Sequence, residues 1–191
     1  MTRSLFIDAH PCEGTGSDPQ DLLPDDRAWG SRTPPTQPVM TAALPVSVPP
    51  RPGESIESWL EHLADANGLT TAQLLAAAGR GRAGTRYLTL APSPETIARP
   101  ASLARIDEDR VYAATLASFD GTALNLTGLD PTDRHSYRQV AARGWTPAHG
   151  TQICPACLAD TGTWKVAWRL LLVTACIDHG IVLVAECPGC G

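Results

Sequence analysis

The sequence predicts a mainly α-helical protein with helix-turn-helix-like units, followed by a small metal-binding module that carries a short β element. Three observations carry this expectation. Apolar residues recur at helical spacing in several short segments between positions 44 and 130. Six potential metal ligands stand in three pairs, each separated by two residues, between positions 154 and 190. Residues 1–43 are rich in Pro, Gly, Asp and Thr and show no sustained period, which predicts a disordered tail. The expected organisation is therefore a tail over 1–43, a helical region over 44–130 and a metal module over 131–191.

Residues 44–52 alternate apolar residues with prolines, which suits an extended arm laid over a core better than a central strand. Ser55 then stands as an N-cap before Ile56, Trp59, Leu60 and Leu63, an i, i+3, i+4, i+7 stripe that predicts the first helix. Asn67-Gly68 ends it, since both residues tolerate the left-handed conformation. Thr70 caps a second helix with Leu74, Leu75 and Ala78 inward, closed at Gly79. Two short helices around a tight turn have a helix-turn-helix outline, which serves as a scaffold or docking surface as readily as for reading DNA. Just beyond lies the chain's basic cluster, Arg80, Arg82 and Arg86 on a glycine-rich loop, able to clamp phosphates or acidic side chains or simply to be solvated.

Ser93-Pro94-Glu95 opens a third helix through Ile97 and Leu103, which Pro100 is expected to kink or shorten. Asp107-Glu108-Asp109 opens a fourth that reads through Val111, Tyr112, Thr115 and Leu116. The following stretch to Pro131 reads as loop, and residues 134–150 give mixed signals. Trp164, Trp168, Leu171 and Leu172 recur at i, i+4, i+7 and i+8, the spacing of a helix face that would bind the metal module to the helical part. Ile181-Val182-Leu183-Val184 reads as a short strand.

The ligand pairs are Cys154-Pro155-Ala156-Cys157, Cys176-Ile177-Asp178-His179 and Cys187-Pro188-Gly189-Cys190, with 18 and then 7 residues between successive pairs. Two ligands two residues apart can bend around one ion as a knuckle, and two knuckles complete the tetrahedral shell of structural zinc. Cys154, Cys157, Cys176 and His179 form one such C-x2-C-x18-C-x2-H site. Cys187 and Cys190 begin a second site, with a four-cysteine ribbon from the first and third pairs as the alternative. Six cysteines could also form disulfides, but residues 1–9 show no secretory apolar core, and a reducing compartment favours metal-bound thiolates. Catalytic zinc needs an open position and a nearby base, and neither Asp178 nor Glu186 is singled out for that task. His149, five residues before Cys154, and the remote His10 and Cys12 read as structural or exposed groups.

A net charge of -5 and pI near 5.4 argue against a protein whose main task is to coat nucleic acid, so any DNA contact is expected to be local. Of the 15 basic residues 14 are arginine, which reads as codon bias and supports no function. No apolar run reaches the eighteen or so residues of a membrane span. Residues 166–176, the most apolar segment, are interrupted by Arg169. The expectation is a soluble cytoplasmic protein. It is not expected to be an enzyme, because no HExxH, paired-carboxylate or P-loop pattern is present.

Leu44-Pro45 followed by Pro52-Gly53-Glu54-Ser55-Ile56-Glu57-Ser58-Trp59-Leu60 resembles the opening of TniQ proteins, a proline-rich arm before Gly-Glu-Ser and a Ser-Trp-Leu helix. Arg110-Val111 and Thr115-Leu116 fit that family's middle segment. Cys154-Pro155-Ala156-Cys157-Leu158, Trp164, Trp168-Arg169-Leu170, Cys176, His179-Gly180, Leu183 and Cys187-Pro188-Gly189-Cys190 are similar to its zinc region. The resemblance implies a non-enzymatic adaptor in DNA transposition. Such an adaptor bridges a target recogniser, DNA or an RNA-guided complex, to an AAA+ ATPase. It implies zinc on Cys154, Cys157, Cys176 and His179, with Cys187 and Cys190 beginning a second site. Family members usually continue with that site completed, whereas this sequence ends at Gly191. A homodimer stays open, and a stand-alone DNA-binding regulator using residues 59–79 and the Arg80, Arg82 and Arg86 loop is the alternative.

Overall fold

A computed structural model describes residues 43–79, 88–90, 92–131, 133–142 and 151–185. The tail over 1–42, the loop of Arg80, Arg82 and Arg86, His149, and Cys187 with Cys190 lie outside the described residues. In chain order the helices are α1 (Ile56–Ala66), α2 (Thr71–Ala77), α3 (Pro94–Ala104), α4 (Glu108–Tyr112), α5 (Arg134–Ala141) and α6 (Pro155–Thr161). Short 3-10 turns cover Leu116–Phe119 and Val166–Arg169, and a two-stranded sheet pairs β1 (Ala175–Cys176) with β2 (Ile181–Val182).

The local signals in the first helix pair act as the sequence predicts. The Ser55 hydroxyl accepts from the Ser58 amide at 3.3 Å and so satisfies one of the donors that every helix start leaves open. At the other end only glycine of the Asn67-Gly68 pair turns left-handed, with φ +67°. Asn67 keeps a negative φ and spends its side chain on the arm, accepting from the Val46 amide at 2.9 Å and donating to the Val46 carbonyl at 3.0 Å. Thr70 and Gln73 form a reciprocal capping box at the start of α2.

The proline-rich arm lies over the helices. Its Leu44 amide donates to the Leu103 carbonyl at 2.8 Å, the Ser47 hydroxyl to the Ala104 carbonyl at 2.6 Å, and the Val48 carbonyl accepts from the Trp59 indole at 2.7 Å. Prolines cost this arm nothing there, because its polar groups bond to helix ends and side chains and not to a ladder. One apolar core gathers Leu44 with Ile56, Trp59, Leu60 and Leu63 of α1, Leu74 of α2, Ile97 and Leu103 of α3, and Val111 of α4. A second joins Leu90, Leu116, Leu124 and Leu126 to Val140 of α5 and to Val166 and Leu170.

Pro100, expected to kink or shorten α3, does not shorten it: the helix continues to Ala104. The proline is buried with Thr96, Ile97, Ala101 and Leu103, so tertiary packing outweighs the lost helical hydrogen bond. The fourth helix stops at Tyr112 and does not include Thr115 and Leu116. There the Ala114 carbonyl is taken by the Ile56 amide at 2.8 Å, and the Leu116 amide is drawn to the Thr89 carbonyl at 2.7 Å, which unwinds the chain before the Leu116–Phe119 turn.

The tryptophan-leucine stripe is not a helix face. The Trp164 carbonyl accepts from the Ser55 amide at 2.7 Å and the Val166 amide donates to the Gly53 carbonyl at 2.9 Å, a Glu54–Lys165 antiparallel bridge. That pairing holds the backbone extended, and only Val166–Arg169 coils, leaving Leu171 and Leu172 exposed. The expected link between metal module and helices is present, made by backbone pairing. Helix α5 falls in the stretch of mixed signals; the Asp133 carboxylate caps it by accepting from the His135 amide at 2.8 Å.

Candidate metal centre

The first knuckle is a helix start. Cys154 is the N-cap of α6, its sulfur accepting from the Cys157 amide at 3.4 Å, and Pro155 occupies the first-turn position where its missing amide proton is not needed. The second knuckle is the turn of the β1–β2 hairpin. Ala175 pairs with Val182 and Cys176 with Ile181, and Gly180 at φ +64° donates to the Cys176 carbonyl at 2.9 Å, so the turn folds His179 back over Cys176. An Ile153–Val184 bridge ties the two knuckles together. Trp168 and Leu183 pack beneath the cysteines in a third small core. The Trp164 and Trp168 rings meet edge-on at 6.1 Å.

These turns bring Cys154, Cys157, Cys176 and His179 together, each offering one ligand atom, all within 4.8 Å of one another. His179 Nδ1 stands 3.5 Å from the Cys154 sulfur, 3.3 Å from that of Cys157 and 3.6 Å from that of Cys176. The Cys157 and Cys176 sulfurs are 3.5 Å apart. A tetrahedral ion held at ordinary thiolate and imidazole lengths sets sulfur–nitrogen edges of about 3.6 Å and sulfur–sulfur edges of about 3.8 Å. The donor set therefore fits one metal ion at its centre, and three buried sulfurs with one imidazole are the ligands a soft or borderline cation prefers.

Three of these groups shift one another's proton affinity. Burial, with the neighbouring Cys176 and Cys154 sulfurs, pushes the Cys157 thiol up to about 12. Burial acts upward on Cys176 as well, but its hydrogen bonds to His179 prevail and bring it down to about 6. The hydrogen bonds of His179 to Cys176 and Asp160 raise the imidazole to about 9. A cation held by these residues would take the place of their protons.

Sequence reasoning missed Asp160. Its Oδ2 lies 2.9 Å from His179 Nε2, so the imidazole donates outward and presents Nδ1 to the cysteines. The signal was available, since Asp160 follows Cys157 by three residues on α6 and shares its face. Asp178 pairs instead with Lys165 at 3.5 Å.

Comparison with protein-family models gives a match to TniQ over residues 45–183, well over half of the chain. The chain belongs to the TniQ family. It is accordingly a transposition-associated protein, and the TniQ match spans the arm, the six helices of the described residues and the four clustered Cys and His side chains. No curated protein matches the chain. Among the described residues, no helix of this TniQ protein is long and apolar enough to cross a membrane.

Proposed function

We propose that this TniQ protein is a non-enzymatic adaptor in DNA transposition. It links a target recogniser, DNA itself or an RNA-guided complex, to the AAA+ ATPase that regulates the transposase. Its helical region is 44–130 and its metal module 131–191, with structural zinc on Cys154, Cys157, Cys176 and His179. Cys187 and Cys190 contribute to a second site, and Arg80, Arg82 and Arg86 contact DNA or a partner. It acts in the cytoplasm.

The observation that carries the reading is the number of large apolar side chains exposed in the metal module. Leu171, Leu172, Ile177, Ile181 and Val182 are all exposed there, Ile177 at 96% and Val182 at 73%. Exposed apolar side chains in such number within a short stretch fit a protein partner and offer nothing to a phosphate backbone. The stand-alone regulator is less well supported. Helix α2, its reading helix, has seven residues and no charged side chain, and the Gln73 amide is engaged with the Thr70 backbone at 2.8 Å. Base edges are read chiefly by Arg, Lys, Asn and Gln side chains that are free to reach them.

The test is co-sedimentation of the full chain with the AAA+ ATPase of a TniQ-containing transposon, sought first in the DNA flanking its gene. Ile177→Asp and Val182→Asp are expected to weaken that complex at least tenfold with metal content intact, since both side chains are solvent-exposed and a buried charge at an interface is costly. Unchanged binding by both variants would overturn the proposal.

A further inference from the structure

A cleft of about 180 Å³ lies between the arm and α4, walled by Pro50, Pro52, Ala113 and Ala114 and lined by the guanidinium-bearing Arg51 and Arg110. Its charges are unbalanced. Arg51 spends one nitrogen on neutral acceptors, the Thr161 carbonyl and the Thr163 hydroxyl, both at 2.7 Å. Arg110 makes no ion pair or side-chain hydrogen bond among the described residues. The carboxylate in the lining, Glu54, is committed elsewhere. Its oxygens accept from His62 at 2.6 Å, Ser58 at 2.8 Å and the Arg51 amide at 2.9 Å, and the residue is buried. Two guanidinium groups and one already engaged carboxylate therefore border one pocket, a local excess of positive charge in a chain whose net charge is -5.

We infer that this cleft is a binding site for a carboxylate-bearing peptide segment of a protein partner, an Asp or Glu flanked by apolar residues. Guanidinium groups recognise carboxylates through paired hydrogen bonds, and an apolar wall strengthens such a contact by excluding water. The walls are proline and alanine, which suit the methylene groups of one acidic side chain and its neighbour. A nucleic-acid backbone fits less well. Asp107, Glu108 and Asp109 stand exposed at the start of the same short helix as Arg110 and repel a run of phosphates more strongly than the single carboxylate of a peptide. The prolines also hold the arm in one conformation, so the pocket is formed before the ligand arrives. The cleft is lined by other residues than the exposed apolar side chains of the metal module, and the inference stands whether or not those side chains dock the ATPase.

The test is an amide chemical-shift titration of the full metal-loaded chain with the peptide acetyl-Leu-Asp-Leu-amide. Its Asn counterpart, inorganic phosphate and a short DNA duplex are run beside it. The acidic peptide is expected to shift the Gly53, Ala113 and Ala114 amides, and the Asn peptide to bind about tenfold more weakly or worse, the loss of a charged hydrogen bond. Arg110→Gln is expected to cost a similar factor, and Ala113→Leu to block the mouth; both positions are exposed, and unchanged spectra elsewhere verify the fold. Equal binding of the Asp and Asn peptides, or no shifts at these amides, overturns the inference. Cleft shifts produced by the duplex at lower concentration than by the peptide also overturn it, in favour of nucleic acid.

Discussion

His179 turns its Nε2 toward Asp160, 2.9 Å away, while its Nδ1 faces three cysteine sulfurs. The carboxylate thus fixes which nitrogen carries the proton and which one is left as a donor to a metal. Asp160→Asn keeps the shape but loses the charge that makes the imidazole a stronger donor. The expected result is a drop in metal affinity of about 10- to 100-fold with the fold retained at saturating metal, read by competition with a chromophoric chelator.

Removing a ligand acts more severely. Cys154→Ser and Cys176→Ser each leave three donors around a pocket built for four, and both sulfurs are buried. The purified variants are expected to retain well under one equivalent of zinc by elemental analysis and to lose the cooperative unfolding of the knuckle. Cobalt-substituted parent protein should show the absorption of a tetrahedral site with three thiolates. An octahedral spectrum would contradict the Cys3His shell.

Glu54 is a second sensitive point, with a defined pH dependence. Burial by itself raises its carboxyl, but hydrogen bonds from His62, the Arg51 amide and Ser58 outweigh burial and hold it below the usual 4.5. The unfolded chain therefore binds the proton more readily than the folded one. The stabilisation is fully present above about pH 4.5 and is lost as pH falls through the lower folded value. Glu54→Gln should cost roughly 1–3 kcal/mol at neutral pH and flatten the acid limb of the stability curve, measured by urea unfolding between pH 3 and about 7.

Trp59 is fully buried and donates its indole proton to the Val48 carbonyl at 2.7 Å, so it joins packing to arm docking. Trp59→Phe should cost about 1–3 kcal/mol, mainly from the carbonyl left unpaired, and Trp59→Ala about 3–5 kcal/mol from the cavity as well. Hydrogen exchange at the Leu44 and Val46 amides is expected to accelerate in both variants.

Much of this was legible in the residues, for reasons that differ by region. Ser55, Thr70 and the α1 stripe act within one or two turns of chain, so local rules suffice to place the first two helices. The x2 spacing of Cys154 with Cys157 and of Cys176 with His179 is itself a geometric statement, and it pointed to four side chains that the fold brings together. The misreadings share one cause. Thr115 and the Trp164–Leu172 stretch take their conformation from partners far along the chain, and Leu116 bonding to Thr89 or Trp164 to Ser55 leaves no trace in local periodicity. Helix α5 went unread because its buried residues, Ser136 and Val140, make too short an apolar stripe.

The Glu54–Lys165 bridge has a bearing on how such a chain can change over evolutionary time. A metal-binding knuckle that made no contact outside itself could be moved from gene to gene as a cassette. Here the segment linking the two knuckles lends its backbone to the entrance of α1, and the Trp164 amide donates to the Ser58 hydroxyl at 3.1 Å. A knuckle transplanted from elsewhere would have to arrive with that register already matched. The two parts are thereby constrained to be inherited together, and a crossover that exchanges one alone is expected to yield chains that neither fold nor hold metal.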